Sequence, residues 1–553
     1  MNSSAIFSLF APYSKEPNGR ECQLSKQTQV DLGLDIIAHQ IAGNGISTHE
    51  VLKLLTILPI ELDIIQYRQA VAGDLLHNPE LKISLQEIIP RIFELIYFNN
   101  SRKESDSLLL QAIWRLGELE LYVECICKLH ECLSNSFNSI RSDGLIELKS
   151  LVEEVRSQSI FDNMIEELPK IREGLRVKKS VTIGVNLDEK FKPKEATLLS
   201  IHERPFTDSS LLRRLFGSHS DRSGFVSLTP VHKSTLPGQQ AKSPSFPLSP
   251  LFQDIEHLLR SLARPVIESI KSFLLVNTRL LRNLGPELAF YVGSMNLIEK
   301  LQAENHIFCT PQPTEISGRV ADLKGFFNLQ LALRKSRHDE ESEPLVLNDV
   351  DFDDTGRILI LTGPNQGGKT TFTQGVGIAQ VLFQAGLPVP ARYARISPAD
   401  CIVTHFPAAE QGQLETGRFA EEALRLAKLF KSISASSLVL LNETLSSTSP
   451  GESLYIAEDI VKSLRLLGTR SVFSTHLHEL SERIPRLNGE VSGKSSIASI
   501  VAEVRFTDSG EHLRTFKIRR GPSAGKSYAR DIAEQYGISF EQIKQLLSKD
   551  GKI

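Results

Sequence analysis

The 553-residue sequence has no apolar run of the roughly 18 residues that a helix needs to cross a bilayer, so no transmembrane helix is expected. Its six cysteines are too few for a disulfide framework, which indicates a reducing cytoplasm. The N-terminal segment MNSSAIFSLFAPYSKE lacks a basic region before its short apolar patch and does not predict a secretory signal. The sequence contains no internal repeat of the kind that would indicate a solenoid. The length exceeds what one hydrophobic core supports, so we expect several domains.

Charge is distributed unevenly along the chain. The net charge is −3, yet residues 170–242 hold 14 Lys and Arg against 7 Asp and Glu. Such a basic island is a candidate contact for a polyanion, and the alternative is a solvated surface with uneven charge. The best candidates for phosphate contacts within it are Lys178, Lys179, Arg213 and Arg214.

The spacing of hydrophobic residues divides the chain into regions with different predicted secondary structure. Residues 30 to about 160 follow helical spacing, and Pro59 is expected to separate two helices. Residues 165–250 contain a β-like run at 180–185 and a loop-rich Pro/Ser segment. Helical spacing returns over 251–301, which suggests a lever arm that carries an inserted tip. From about residue 316, strands alternate with helices, as in an α/β domain with a parallel sheet.

A complete G-x-x-x-x-G-K-T phosphate loop follows the apolar run Ile358–Leu361. Strand, Gly-rich turn and helix in this order let backbone N–H groups surround a triphosphate. Lys369 is predicted to reach the β- and γ-phosphates, and the Thr370 hydroxyl to join a Mg²⁺ shell. The predicted nucleotide-binding residues are Gly363, Pro364, Asn365, Gln366, Gly367, Gly368, Lys369, Thr370 and Thr371.

Two later strands end in polar residues that complete an ATPase pattern. The strand 438–441 ends in Asn442 and Glu443, where many P-loop ATPases place an acidic pair. Asn442 is predicted to contact the metal through water without supplying charge, and Glu443 to act as general base. The strand 470–474 leads to His476, which is predicted to touch the γ-phosphate or the attacking water. The alternative is that these are structural strand ends. The order of the motifs is typical of ATP-binding-cassette proteins.

A second group has the residue types of a zinc site but the wrong spacing. Cys125, Cys127, His130 and Cys132 lie within a helical pattern, where positions 125 and 127 point to opposite sides. One tetrahedral cage cannot easily collect all four, so helix packing is the preferred interpretation.

The chain strongly resembles the MutS family. The motifs that carry this resemblance are TGPNQGGKTTF, VLFQAGLPVPA, ISPADCIVTHF, the Leu-Asn-Glu strand with Ser447-Thr448-Ser449, FSTHLHEL and the late segment from Gly525 to Ala533. The likeness is most specific over 345–545 and is looser from about residue 30. The sequence starts near the family's core domain, so we expect neither a mismatch-reading module and connector domain nor a nuclease-like extension.

The resemblance implies a dimer with each ATP between two subunits and lever arms around duplex DNA. It implies phosphate and metal contacts from the loop, a catalytic carboxylate at Glu443 and a switch histidine at His476. Phe419 and Glu422 match positions in the segment that crosses to the other subunit's nucleotide.

The chain departs from the family pattern at three further positions. Asn442 replaces the usual Asp, which predicts slow turnover. Gly417 falls where the family offers a serine to the γ-phosphate across the dimer, with Thr416 as a substitute candidate. Leu345 stands where an aromatic residue stacks on adenine, which predicts relaxed base selectivity.

The sequence therefore predicts a multidomain protein with an α-helical core and lever domain, an inserted clamp module and an α/β P-loop ATPase domain of the ATP-binding-cassette type. The predicted segments are 1–164 (helical core), 165–250 (basic clamp-like module), 251–315 (returning lever helices) and 316–553 (ATPase with a C-terminal helical dimerisation segment).

The favoured function is an ATP-hydrolysing, homodimeric DNA clamp that uses ATP and Mg²⁺, grips duplex or branched DNA in the cytoplasm, and signals to downstream repair proteins. One alternative is a nucleotide-gated scaffold with little turnover. Another, a transporter ATPase subunit, is disfavoured because no LSGGQ-like signature is found.

Overall fold

A computed structural model describes residues 7–12, 20–43, 45–100, 108–176, 180–187, 189, 193–202, 232–233, 268–270, 273, 276, 278–335, 344–407, 418–445, 449–493, 495–506, 512–522 and 537–549. Contacts divide the chain into two compact units. The first comprises Met1–Gln86, Ser136–Glu147 and Pro286–Ile553, and the second Glu87–Asn135 and Leu148–Gly285. The N-terminal helices thus share a unit with the α/β region, whereas the sequence assigned them to a separate helical segment. The predicted division into four segments stays a prediction.

Helices dominate the described residues up to 304, as the sequence predicted. They are α1 (Lys26–Asp31), α2 (Leu34–Ile41), α3 (Thr48–Thr56), α4 (Leu62–His77), α5 (Pro79–Asn100), α6 (Leu108–Asn135), α7 (Asp143–Arg156), α8 (Ser159–Arg176) and α9 (Arg279–Ala303). Local signals explain their starts: Ser47 and Glu50 form a reciprocal capping box at α3. Pro59 does separate α3 from α4, but it lies in a short strand, β2 (Ile57–Pro59), which pairs with β1 (Glu21–Gln23).

The second unit combines helices with a small antiparallel sheet. The predicted β-like run forms β3 (Ser180–Leu187), which pairs with β4 (Pro193–His202), and β4 pairs with β5 (His232–Lys233). Helix α6 packs against α8 in this unit. The predicted zinc-like group lies within α6, as the helical interpretation required. Its three cysteines form no disulfide, and no metal-binding cluster is found among the residues that the structure describes.

The α/β region begins after residue 311 and contains two sheets. Its helices are α10 (Leu329–Lys335), α11 (Lys369–Gln384), α12 (Arg418–Ser432), α13 (Pro450–Leu467), α14 (His478–Glu482), α15 (Ile484–Glu490) and α16 (Phe540–Lys549). Its strands are β6 (Gln312–Pro313), β7 (Ala321–Phe326), β8 (Asn348–Phe352), β9 (Ile358–Thr362), β10 (Tyr393–Ile396), β11 (Ile402–His405), β12 (Leu438–Asn442), β13 (Arg470–Ser474), β14 (Ile497–Phe506) and β15 (His512–Arg520).

The larger sheet has the order β11-β12-β13-β9-β14-β15, and the smaller has the order β6-β10-β7-β8. The first five strands of the larger sheet are parallel, and β15 is an antiparallel edge strand. Every residue of β9, β12 and β13 is buried, which explains the almost entirely apolar sequences of β9 and β12. The three strands that the sequence predicted near the phosphate loop are therefore present and central.

Helices cover both faces of this sheet. Residues of α12 to α15 pack on one face in a core that includes Ile360, Leu441, Ile460 and Phe473. Helix α11 packs against β12 and β13 on one side, and against α3 and β2 on another. It is buried along nearly its whole length, as a helix between two layers must be. Among the described residues, no helix is long and apolar enough to cross a membrane.

Candidate functional site

The phosphate loop connects β9 to α11 and bends through residues that tolerate unusual backbone angles. Gly363 has φ +143°, and a Cβ there would lie 2.6 Å from the Ala502 Cβ, so a side chain is excluded. Gly368 has φ +88° and directly precedes α11. Gln366 also has a positive φ of 60°, although it is not glycine. The predicted Gly positions are thus required by the course of the backbone.

Lys369 lies inside the loop. Its side chain is 4% exposed, and Nζ donates hydrogen bonds to the carbonyl oxygens of Gly363 at 3.0 Å and Pro364 at 2.9 Å. Burial lowers the pKa of this ammonium, and the Glu443 carboxylate opposes the shift. The amine is therefore held at the centre of the loop by two acceptors that a phosphate oxygen can replace.

The two predicted metal contacts lie side by side. The Thr370 hydroxyl, in the first turn of α11, donates to the Asn442 Oδ1 at the end of β12 over 3.1 Å. Asn442 is 3% exposed. A hydroxyl and an amide oxygen are hard donors of the kind that Mg²⁺ accepts beside phosphate oxygens and water. These residues therefore fit the metal that the sequence implied, with less charge than a carboxylate supplies.

The predicted catalytic pair is also in contact. His476 Nε2 and Glu443 Oε1 lie 2.9 Å apart. This hydrogen bond lowers the pKa of the Glu443 carboxyl, so the group is ionised at neutral pH. The backbone brings them together because β13 lies between β9 and β12, and the Glu443 N–H donates to the Ser474 carbonyl at 2.8 Å. The carboxyl ends of three neighbouring parallel strands thus deliver the loop, the acid and the histidine to one edge.

A cavity of about 410 Å³ opens beside the loop. Loop residues 366 and 368–371 line it, together with Glu443. The rest of its lining is mainly apolar or aromatic and comprises Phe326, Phe327, Asn328, Leu331, Lys335, Pro344, Leu345, Val346, Asn348, Phe372 and Phe516. The volume and the mixed lining suit a small polar ligand with a planar part.

Sequence reasoning missed Phe516, which supplies an aromatic wall close to Leu345. It lies on β15 with φ +54°, and its ring passes close to Gly368. Two residues earlier, Arg514 Nη1 donates to Gln366 Oε1 in the loop at 2.6 Å. The signal was a lone aromatic in a basic strand, HLRTFKIRR, but only the fold reveals that this strand passes the phosphate loop.

Glu422 and His405 contact the turn that follows β12, and the sequence indicated neither contact. Glu422 is buried on α12, and its Oε1 accepts a hydrogen bond from the Leu445 N–H at 2.6 Å. The sequence had placed Glu422 in a segment directed toward another subunit, and the structure shows its contact within the same chain. Burial lowers the pKa of His405 to about 4, and its Nδ1 lies 3.1 Å from the Thr444 Oγ1.

Several predicted residues lie outside the described part of the chain. They are Lys178, Lys179, Arg213 and Arg214 of the basic island, Thr416 and Gly417, Ser447 and Thr448, and the segment from Gly525 to Ala533. The proposed DNA contacts among them therefore stay predictions. Phe419 is described and is exposed at the start of α12.

The fold and the loop define an α/β domain of the P-loop class. Two family models match the chain: "MutS2 N-terminal domain" over residues 60–304 and "MutS domain V" over residues 359–546. The chain belongs to the MutS family. The first match covers the helical region, where the sequence resemblance was looser, and the second covers the site.

Curated relatives agree with this assignment. The chain is 32% identical over 252 residues to the DNA mismatch repair protein MutS of Chlorobium phaeovibrioides. This match covers 44% of this chain and 26% of that protein. It is 32% identical over 228 residues to MutS of Brevibacillus brevis, 39% of this chain and 25% of the relative. It is 27% identical over 294 residues to MutS of Chlorobium chlorochromatii, and this match covers 52% of this chain and 33% of the relative. The chain thus matches about a quarter to a third of these relatives' length.

Proposed function

We propose that this protein is an ATP-hydrolysing, DNA-binding clamp of the MutS family, in which nucleotide state controls the grip on duplex, mismatched or branched DNA. The observation that carries the ATPase part is that Lys369, Thr370 and Glu443 line one 410 Å³ cavity. Asn442 is hydrogen-bonded to Thr370, and His476 to Glu443. The DNA part is supported by the family membership and by the basic island at 170–242.

The triphosphate of ATP is bound in this proposal by residues 363–371. Lys369 exchanges the carbonyls of Gly363 and Pro364 for β- and γ-phosphate oxygens, which a buried ammonium binds more strongly because the charge is poorly screened. The N-terminus of α11 adds backbone N–H donors. The base lies toward Leu345, Val346 and Phe516, where the cavity wall is apolar.

Thr370 and Asn442 would hold the magnesium ion. When it is bound, it neutralises charge that develops on the phosphates. Neither side chain is anionic, and the next residue after Asn442, Glu443, carries an ionised carboxylate. Weaker retention of the metal follows, and with it the slow turnover that the sequence predicts.

Hydrolysis is assigned to Glu443 and His476. The Glu443 carboxylate orients the attacking water and accepts its proton. His476 donates to Glu443 and keeps it ionised, and it lies where it can move to the γ-phosphate oxygen. The hydrogen bond between them therefore links the state of the bound nucleotide to the orientation of the Glu443 carboxylate.

The first prediction tests this assignment. Glu443→Gln removes the proton acceptor and keeps the shape, so it should retain ATP binding and lower phosphate release about a hundredfold or more. A phosphate-release assay with and without DNA measures this, with the exposed Glu452→Gln on α13 as control. Equal rates well above background for wild type and Glu443→Gln would remove Glu443 from catalysis.

Asn442 supports a second candidate, a scaffold that binds nucleotide and DNA with little turnover. The amide leaves the metal site without the usual carboxylate. This candidate predicts ATP binding with phosphate release no faster in the wild type than in Glu443→Gln, with or without DNA. DNA-stimulated hydrolysis by the wild type eliminates it.

The clamp itself is proposed to be a homodimer that encloses DNA and contacts downstream repair proteins. Its DNA preference is tested by competition binding with homoduplex, mismatched and four-way-junction DNA, each with and without ATP. A clamp predicts that ATP changes the affinity for at least one of these substrates. Affinities that are identical with and without ATP on all three would separate the ATPase from DNA binding.

A further inference from the structure

The turn that follows β12 has a strained backbone. Glu443 has φ +49° and Leu445 has φ +70°, and neither residue is glycine. A side chain with a Cβ adopts this left-handed region at a cost, because the Cβ crowds the following carbonyl. Such residues persist where the surrounding structure determines the conformation, and they cluster at functional sites. The contacts that hold this turn determine where the candidate general base lies, because Glu443 is the first residue of the turn.

The backbone of Leu445 is held at both ends by buried side chains from two helices. The Leu445 N–H donates to the Glu422 carboxylate on α12 at 2.6 Å. The Ser453 hydroxyl on α13 donates to the Leu445 carbonyl at 2.7 Å. Both side chains are buried, with Glu422 8% exposed and Ser453 3% exposed. A carboxylate is a strong acceptor for a backbone N–H, so the first bond is the stronger of the two.

The middle residue of the turn is held by the neighbouring strand. The Thr444 Oγ1 lies 3.1 Å from the His405 Nδ1 at the end of β11. His405 is 3% exposed and its lowered pKa keeps the ring neutral, so it offers a hydrogen bond without adding charge. Three elements thus fix the turn 443–445 from different directions, and the Glu443 carboxylate extends from it toward His476.

We propose that Glu422 is a positioning residue for Glu443: its carboxylate holds the Leu445 peptide in the left-handed conformation that directs the Glu443 side chain at the attacking water. This inference rests on the proposed ATPase function. Without the Glu422 carboxylate, the buried Leu445 N–H loses its hydrogen-bond acceptor. The turn then relaxes toward an ordinary backbone conformation. The Glu443 carboxylate then leaves the place where His476 contacts it.

The strain gives the proposal a specific test. Glycine adopts a φ near +70° without the steric cost that leucine bears. Leu445→Gly should therefore lessen the dependence of the turn on Glu422. If Glu422 acts by holding the strained peptide, Leu445→Gly should restore turnover to a chain in which Glu422 is Ala.

The experiment compares wild type, Glu422→Ala, Leu445→Gly and the double variant in steady-state ATP hydrolysis. Glu422→Ala is expected to lower kcat by about tenfold or more with KM changed less than about twofold, because the base and not the binding loop is displaced. The double variant should recover most of that loss. Glu421→Gln, on the same helix but less buried, is the matched control and should equal wild type.

A second readout does not depend on turnover. Hydrogen exchange of the Leu445 amide, followed by mass spectrometry of the peptide that contains it, should accelerate in Glu422→Ala while the melting temperature shows that the chain is folded. The proposal is overturned if folded Glu422→Ala keeps the wild-type kcat, or if a double variant that is folded by the same melting criterion does not recover the loss. Folding is checked in the double variant because Leu445 is buried in the core. Wild-type turnover at background level would instead overturn the hydrolysis itself, and with it the positioning role.

Discussion

At the scale of single residues, the candidate metal site differs from a fully acidic one because Asn442 supplies an amide in place of a carboxylate. Asn442 places an amide oxygen 3.1 Å from the Thr370 hydroxyl, where a carboxylate oxygen would add negative charge. The sequence identified this position because the strand ends and the loop are local patterns. It did not identify Phe516, because a contact between β15 and the loop depends on how the sheet is assembled.

Asn442→Asp should strengthen the metal site. An anionic oxygen in the same place raises the attraction for a divalent cation, so we expect half-maximal ATP hydrolysis at about tenfold lower Mg²⁺. Titration of phosphate release with Mg²⁺ measures this, and Asn163→Asp, at an exposed position on α8, is the control. An unchanged Mg²⁺ dependence would mean that Asn442 does not contact the metal shell.

His405 gives the protein a pH-dependent stability. Its pKa falls from 6.5 to about 4 because burial and the nearby Arg425 disfavour the imidazolium. The unfolded state therefore binds more protons between these values, so the stability is complete above about pH 6.5 and is lost as the pH falls toward 4. The loss is on the order of 3 kcal/mol for this group.

Urea unfolding at pH 7.5 and pH 5 measures the effect. His405→Gln keeps a hydrogen-bonding side chain that does not titrate, so its midpoint should change less between the two pH values than that of the wild type. His39→Gln on α2, an exposed histidine, serves as the control. Equal pH dependence in wild type and His405→Gln would contradict the buried neutral state.

At the scale of elements, α11 joins the phosphate loop to the N-terminal region through glutamine side chains. Gln384 donates to the carbonyls of Pro59 and Ala399 at 2.9 and 3.0 Å, and Gln374 donates to the Asp31 carbonyl at 2.8 Å. Gln330 on α10 donates to the Leu32 carbonyl. The sequence predicted α11 and the N-terminal helices separately, but nothing in it showed that they pack together, because glutamines inside a helix carry no pairing information.

Gln384→Glu should destabilise the first unit strongly. An ionised carboxylate cannot donate to the Pro59 and Ala399 carbonyls, and a buried charge beside two carbonyl oxygens is repelled. We expect a loss of about 3 kcal/mol or more in the free energy of unfolding. Chemical denaturation measures it, with the exposed Gln302→Glu on α9 as control. A loss as small as the control's would mean that α11 is not anchored through this side chain.

At the scale of the whole molecule, the two family matches correspond to the helical region and the α/β region. The sequence predicted this order of regions and the three central strands of the larger sheet. It did not predict that residues up to Gln86 belong to the same compact unit as the α/β region, because such packing is determined by long-range contacts.

The proposed DNA contacts also belong to this scale. Replacing Lys178, Lys179, Arg213 and Arg214 by Ala should weaken binding to all DNA substrates and reduce the slope of log affinity against log salt, because fewer counterions are released. Binding titrations between about 50 and 200 mM salt measure the slope. An unchanged slope would place the DNA-binding surface elsewhere.

The central claim is that the loop around Lys369 binds the triphosphate of ATP. Calorimetric titration of the full chain with ATP and Mg²⁺, beside Lys369→Ala, tests it most directly. The account predicts saturable binding by the wild type and a loss of at least about tenfold in affinity for the variant, because the buried ammonium is the main cation in the loop. Equal affinity in both proteins, or no binding by the wild type, would contradict it.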